Sequence, residues 1–328
     1  MNPDGRDRFL AMQAQNRTVQ PSVDDQSLLH SGVWPWGRMN HYLFDMNRDW
    51  IFATQPETRG RLRAVSEWNP QFFMESHEMG PQDTFLFMPG REAINPNQPE
   101  NVRKWQIEFA KDQAAAFDAR GWRYYTGEWS DDWYPGYSCS WSALRGAVAN
   151  LYEQASIGTD AVRRPEGTLE SYREAVNKQL VSSMVNLSFL SKNRQAILAD
   201  FLAEKRKSVG PGASIPARTF AIPPMTNDAR LRRFLDLMSL EGFEVYAAGE
   251  AFTAQAKDRL GREVKDRKFP AGTLLPPAHL GVLASVGVFM VKVVRRAAVG
   301  VLSTGDELVE RVDEARGSLV RLHSSIAE

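Results

Sequence analysis

Short apolar segments alternate with longer helical patterns along the chain, and this alternation restricts the possible folds more than any other feature. Gly, Pro and polar residues bound the short segments, which is typical of strands. The predicted strands are residues 71–76, 83–88, 121–125, 147–152, 219–222, 243–247 and 291–294. The predicted helices are residues 101–120, 168–207, 228–240 and 278–285, with Thr168 or Ser171 capping the second. Such alternation predicts an α/β fold, with a mixed, mainly parallel sheet flanked by helices.

The change of texture after about residue 215 predicts two regions, a larger α/β domain over residues 1–210 and a smaller α/β region over 215–328. The formal net charge is +0, from 40 basic and 40 acidic residues, which argues against nucleic acid or an anionic membrane as partner. No apolar run reaches the length of a membrane span. The charged first ten residues do not resemble a signal peptide. A single cysteine, Cys139, excludes an intramolecular disulfide framework and a cysteine-cluster metal site.

Two predicted strands end in residues that are able to carry chemistry. His77 closes the first strand, and ligands in open α/β sheets lie beyond the carboxyl ends of strands, where a histidine is well placed to bind a metal. Glu153 follows a second strand, and a partly buried carboxylate there is a candidate general base. The alternatives are a histidine bonded to a backbone carbonyl and a salt-bridged glutamate. The occurrence of both residues at strand ends favours a functional site.

Two Asn-Arg pairs also stand out, Asn16-Arg17 and Asn47-Arg48. Arginine binds a carboxylate through two parallel hydrogen bonds and keeps its charge at any relevant pH, so such a pair in a cleft suits a carboxylate substrate. The dipeptide also occurs on ordinary protein surfaces. The pairs alone therefore predict a substrate class only weakly.

Four ordered motifs together resemble the zinc metallocarboxypeptidase family, and the resemblance covers roughly residues 1–275. It is closest to the long bacterial members, which share blocks like residues 29–37, LHSGVWPWG. The motifs are Asn2-Pro3-Asp4-Gly5, Asn47-Arg48-Asp49-Trp50, Glu75-Ser76-His77-Glu78 and Leu151-Tyr152-Glu153. The resemblance implies a zinc enzyme that removes C-terminal residues from peptides or proteins with a free C-terminus. In the family, zinc activates a water molecule and a glutamate acts as general base.

By the same resemblance, His77 matches the third zinc ligand and Glu153 the general base. Family members are often exported, which leaves the localisation of this protein open.

The remaining matches concern the substrate. Asn47 and Arg48 match the pair that binds the terminal carboxylate, and Arg17 matches the arginine that polarises the scissile carbonyl. Tyr134 or Tyr137 matches the mobile tyrosine over the site, and spacing does not choose between them.

The chain departs from the family at its front. The family's first two zinc ligands form an H-x-x-E motif upstream of the Asn-Pro-Asp-Gly segment, and this chain begins at that segment. Catalytic zinc normally takes three protein ligands. The sequence therefore predicts an N-terminally truncated domain without peptidase activity. The alternative is a non-catalytic remnant that binds peptides or carboxylates.

A second resemblance concerns residues 271–310, which are similar to part of a gephyrin-type molybdopterin molybdenumtransferase. The similarity runs from the AGTLLPP stretch to the STGDELVE turn. It implies a third and weaker alternative, a protein of molybdenum-cofactor biosynthesis.

Overall fold

The protein contains both helices and strands, as the sequence predicts, but they occur in runs rather than in regular alternation. The computed structural model describes residues 3–17, 19–20, 22–31, 37–158, 160–209, 218–224, 226–258, 262–275, 291–294 and 319–321. The α-helices are α1 (Pro3–Gln15), α2 (Leu28–Ser31), α3 (Pro56–Trp68), α4 (Glu100–Asp118), α5 (Ser138–Leu144), α6 (Tyr172–Val209) and α7 (Asp228–Leu240). The strands of the first half are β1 (Phe72–Met79), β2 (Phe85–Phe87), β3 (Arg91–Ile94), β4 (Asp131–Asp132), β5 (Val148–Ala155), β6 (Ala161–Arg163) and β7 (Leu169–Ser171). Those of the second half are β8 (Arg218–Ala221), β9 (Tyr246–Ala248), β10 (Phe252–Lys257), β11 (Glu263–Phe269), β12 (Leu274–Leu275), β13 (Val291–Val294) and β14 (Leu319–Arg321).

The chain divides into two compact units. The first comprises residues 1–50 and 70–201, and the second comprises residues 51–69 and 202–328. The first unit contains a three-stranded sheet of order β1-β5-β2. Strands β1 and β5 are parallel, whereas β2 pairs with β5 in the antiparallel direction. The α/β class is confirmed, but the sheet is mixed and not mainly parallel, because β2 returns beside β5 after a short connection.

Helix α4 covers the sheet with the apolar stripe that its sequence predicts. Val102, Trp105, Phe109 and Phe117 are all buried on this helix. The rings of Phe117 and Phe85 lie 4.7 Å apart between centroids, within the range of favourable aromatic pairs. This packing holds the middle of the sheet and leaves the carboxyl ends of β1 and β5 for polar side chains.

Helix α6 begins later than the sequence predicts because residues 169–171 pair with residues 161–163 as a hairpin. Ser171 then caps the helix in a reciprocal manner. Its hydroxyl accepts from the Glu174 N–H at 3.2 Å, and its own N–H donates to the Glu174 carboxylate at 2.8 Å. The Ser171 N–H and hydroxyl both donate to the Glu174 carboxylate, and these two hydrogen bonds lower the pKa of Glu174. The cap at Ser171 is confirmed, and Thr168 lies in the hairpin turn.

A buried ion triad joins this hairpin to α6. The carboxylate of Glu170 contacts Lys178 Nζ at 2.5 Å and also the Arg164 guanidinium. The side chains of Arg164, Lys178 and Glu170 are 2%, 8% and 12% exposed, so one carboxylate balances two cations away from water. Arg164 donates a further hydrogen bond to the Pro81 carbonyl at 2.6 Å.

The strand pairs of the second unit are antiparallel among its described residues, in sheets of order β11-β10-β13-β8 and β12-β9-β14. Helix α7 and strand β13 have the bounds that the sequence predicts. Ile51, Met238, Val245 and Leu274 form the buried centre of this unit. Its fold is therefore α/β with antiparallel sheets.

Two predicted elements have other outcomes. Residues 121–125 form no strand, and only Tyr125 makes an isolated bridge, to Leu86. The predicted helix at 278–285 lies outside the described residues. Among the helices that the structure describes, none is long and apolar enough to cross a membrane.

Candidate functional site

The carboxyl ends of β1 and β5 place three ionisable side chains together in the first unit. The parallel register sets His77 opposite Glu153. Glu75 precedes His77 by two residues and so points to the same face of the sheet. The sequence predicts His77 and Glu153 as neighbours at one sheet edge, and the register brings them together. Glu75 is a third member that the sequence prediction missed.

His77 and Glu75 form a partly buried ion pair. His77 Nε2 lies 2.7 Å from Glu75 Oε1, and the two side chains are 18% and 14% exposed. Burial by itself lowers the pKa of His77, but the hydrogen bond and charge of Glu75, with a contribution from Glu153, outweigh burial and raise it. The folded protein therefore favours the imidazolium form of His77 more than water does.

Asn47 reaches the same point from a single 3₁₀ turn, Met46–Arg48. Asp45 caps this turn by accepting from the Asn47 N–H at 2.9 Å. The Asn47 side-chain oxygen accepts from the Ser138 N–H at 2.9 Å and lies 3.0 Å from the Ser138 hydroxyl, at the start of α5. This contact orients the Asn47 amide, and its Nδ2 lies 3.3 Å from His77 Nε2.

Arg48 lies next to Asn47 but projects outward, with 48% of its side chain exposed. The guanidinium stacks over the Tyr137 ring, 4.5 Å from the centroid, and donates to the Asn47 carbonyl at 2.9 Å. The Tyr134 hydroxyl donates to the Arg48 carbonyl at 2.7 Å. Both predicted tyrosines therefore contact Arg48, and the structure assigns them different roles: one ring supports the side chain and one hydroxyl binds the backbone.

The approach of Tyr134 requires a glycine at position 136. A Cβ built on Gly136 would lie 2.3 Å from the Tyr134 ring, a distance that real side chains do not adopt. The Gly136 carbonyl also accepts from the Trp50 N–H at 3.1 Å. Gly136 therefore connects the loop that carries Tyr134 and Tyr137 to the segment that follows Arg48.

Glu153 is the most deeply buried acid of this cluster. It is 8% exposed, and its Oε2 has no hydrogen-bond partner among the described residues. Burial raises the pKa of Glu153 to about 7, against the opposing charges of His77, Arg38 and Arg48. A carboxyl group with a pKa near neutrality is able to take up and release a proton at physiological pH.

The other residues with a predicted or conceivable role lie elsewhere. Arg17 is exposed just after α1 and makes none of the contacts described for the cluster. His41 pairs with Asp4 at 2.5 Å on the surface, and His30 Nε2 lies 2.9 Å from the Ser22 carbonyl. Cys139 is buried beside Ser138, and burial, followed by the charges of Asp132 and Glu75, raises the pKa of its thiol well above the usual value.

The donor set for zinc is incomplete within the part of the chain that the structure describes. His77 uses Nε2 for its contacts with Glu75 and Asn47, so Nδ1 is the atom that we expect to meet a metal. No group of three or more His, Cys, Asp and Glu side chains is arranged to hold a metal ion among the described residues. These residues therefore do not make a zinc site by themselves, and we assign no chemical step to zinc.

Two cluster residues besides Glu75 were missed by sequence reasoning. Ser138 holds Asn47, and Arg38 pairs with Asp45 at 2.9 Å and opposes the raised pKa of Glu153. Neither residue belongs to a motif, and both become neighbours only through folding. Glu75 could have been predicted from the sequence, since the two-residue period of a strand places it on the same face as His77.

Comparison with known proteins supports only the tail resemblance. No family model matches the sequence, and no solved structure matches the chain. A molybdopterin molybdenumtransferase from Haemophilus influenzae is 52% identical over 54 residues, which is 16% of this chain and 13% of that protein. This chain thus spans a small part of the length of that relative. The match supports the molybdenumtransferase-like character of the C-terminal fragment, and it leaves the carboxypeptidase resemblance without independent support.

Proposed function

We propose that the first unit is a metallocarboxypeptidase-like unit that recognises peptides through their free C-terminal carboxylate. The observation that carries this proposal is the convergence of separate chain segments on one point. The 3₁₀ turn provides Asn47 and Arg48, strand β1 provides His77 and strand β5 provides Glu153. A cation, an amide donor and a buried acid in one place match the chemistry of a terminal carboxylate next to a peptide bond.

Each residue has a distinct role in this proposal. Arg48 is half-exposed and lies over the Tyr137 ring, with Nη1 directed to the Asn47 carbonyl and 3.8 Å from Asp45. In this proposal its remaining N–H groups bind a substrate carboxylate through two parallel hydrogen bonds. Asn47 offers its Nδ2 N–H, because Ser138 occupies its oxygen. Glu153, with a pKa of about 7, is able to accept a proton near neutral pH, and it would act as general base towards a water molecule in a form of the unit that has its full set of zinc ligands. In this proposal His77 is the single residue that the family resemblance assigns as a zinc ligand.

A binding unit without catalysis is the second candidate. The donor set favours it, since the described residues include no three-ligand group for a metal. A role in molybdenum-cofactor biosynthesis is the third candidate, and it depends on the 54-residue match alone.

Peptide binding tests the proposal directly. A fluorescein-labelled peptide pool with free C-termini is titrated with the 328-residue chain and followed by fluorescence anisotropy, beside the same pool with amidated C-termini. We expect binding to the free acids that weakens at least tenfold for the amides, because amidation removes the charge that Arg48 pairs with.

Arg48→Lys provides the residue-level test, with Arg120→Lys as the matched control. Lysine keeps the charge but loses the planar fork, so we expect a several-fold loss of affinity for the free acids. Arg120 lies in the turn after α4 and is exposed, and its replacement should leave affinity unchanged. Equal affinity for acids and amides, or equal effects of the two substitutions, would refute carboxylate recognition by Arg48.

A further inference from the structure

Glu75 connects two elements of the candidate site. Its Oε1 accepts from His77 Nε2 at 2.7 Å and also from the Ser138 hydroxyl. The other oxygen, Oε2, is buried without a hydrogen-bond partner among the described residues. A buried carboxylate is costly unless hydrogen bonds compensate it, so these two donors fix the Glu75 side chain and are fixed by it.

Ser138 passes this constraint to Asn47. The Ser138 N–H donates to Asn47 Oδ1 at 2.9 Å, and Ser138 is only 3% exposed. The hydroxyl has one proton and two acceptors within reach, Glu75 Oε1 and Asn47 Oδ1. The charged acceptor forms the stronger hydrogen bond, so the proton goes to Glu75 and the backbone N–H serves Asn47.

The orientation of the Asn47 amide follows from these contacts. Since Oδ1 faces Ser138, Nδ2 faces His77 Nε2 at 3.3 Å. A ring nitrogen that donates to Glu75 cannot also accept from Asn47. The Asn47 N–H groups are then free of a strong acceptor on that side, and they remain able to donate to an anion beside Arg48.

We propose that Glu75 is a positioning residue, which holds Ser138 and His77 so that Asn47 presents its amide N–H groups, and not its oxygen, to the substrate carboxylate. This inference rests on the proposed function for the identity of the ligand. Glu75 does not contact the substrate, because its negative charge would repel a carboxylate. It acts through the two groups that donate hydrogen bonds to it, the His77 ring and the Ser138 hydroxyl.

The test combines an NMR signal with an affinity. The Asn47 side-chain amide is identified in ¹H–¹⁵N spectra of the full deuterated chain as the signal pair that Asn47→Asp removes. Glu75→Gln replaces the charged acceptor by an amide of the same size, and Glu78→Gln makes the same change at an exposed position of the same strand. We expect Glu75→Gln to move the Asn47 signals and to weaken binding of free-acid peptides about tenfold, and Glu78→Gln to do neither.

Ser138→Ala breaks the same connection at its second member and should move the same Asn47 signals, so the proposal is also tested if Glu75→Gln does not fold. Unchanged Asn47 signals in both variants, with unchanged affinity, would overturn the positioning role. If the unaltered chain does not distinguish acids from amides while Glu75→Gln still moves the Asn47 signals, the proposed function fails and the positioning of Asn47 is supported.

Discussion

Replacing Glu170 by Gln should destabilise the first unit more than other single charge changes on its hairpin. The substitution keeps the shape of the side chain but removes the negative charge that both Arg164 and Lys178 contact directly. All three side chains are at most 12% exposed, so water does not replace the lost partner. Leaving a buried ion without its partner costs about 3–5 kcal/mol. For a unit of this size that corresponds to a decrease in Tm of roughly 10 °C.

Thermal unfolding followed by tryptophan fluorescence is a suitable assay, because eight of the nine tryptophans lie in the residue ranges of the first unit. Glu166→Gln is the matched control. Glu166 lies in the same hairpin turn and pairs with Arg123 on the surface, so its replacement should change Tm little.

Lys178→Met extends the test to the cations. It leaves Arg164 and Glu170 as a one-to-one pair, so we expect a smaller loss of stability than for Glu170→Gln. A Tm for Glu170→Gln within the range of the Glu166→Gln control would refute the argument, since it would mean that the triad is effectively solvated.

Three further predictions concern other parts of the first unit. Burial raises the pKa of Asp132 to about 6, so its contribution to stability is complete below pH 4 and is lost as the pH rises through 6. Asp132→Asn should therefore raise the free energy of unfolding by about 2–3 kcal/mol above pH 7 and change it little at pH 4, and parallel pH profiles of Tm would contradict this. Phe117→Ala should cost about 3–5 kcal/mol in denaturant unfolding, because its ring is fully buried, whereas Ile107→Ala on the exposed side of the same helix should cost much less. The 328-residue chain with added zinc should release no C-terminal amino acids from a peptide pool, because His77 is the single zinc ligand that the family resemblance assigns within it; zinc-dependent release that Glu153→Gln abolishes would prove this wrong.

Local patterns were sufficient for the central strands and helices of the fold. The apolar segments at residues 71–76 and 147–152 predict two strands, and both belong to strands of one sheet, which run three residues beyond the predicted ends. Helices α4 and α7 follow their apolar stripes closely. In these segments the local preference and the tertiary packing agree.

The wrong predictions arise where distant partners decide the structure. The aromatic run at residues 121–125 resembles a strand, but Trp122 and Tyr124 pack their rings against Phe117 and their backbone enters no ladder. Residues 169–171 continue a helical pattern, yet pairing with residues 161–163 makes them a strand. No local propensity contains that information.

The motif residues of the candidate site could be predicted from the sequence, but the residues that hold them in place could not. The sequence places His77 and Glu153 at the ends of two predicted strands, and in the structure both strands continue for two residues beyond them. Ser138 and Arg38 belong to segments whose position relative to Asn47 depends on the whole fold. The sequence thus indicated which groups could act, and the structure shows which groups hold them.

The burial of Cys139 has a practical consequence for spectroscopy and labelling. It is the only cysteine of the sequence, it is 5% exposed, and burial keeps its pKa raised and its thiol protonated. Since the thiolate is the reactive form, a maleimide or a thiol-reactive spin label should react very slowly with Cys139 in the folded protein. A cysteine introduced on the surface can then be labelled without first removing the native one. The rate at which Cys139 itself becomes modified will report how often α5, and with it the Ser138 support of Asn47, opens to solvent.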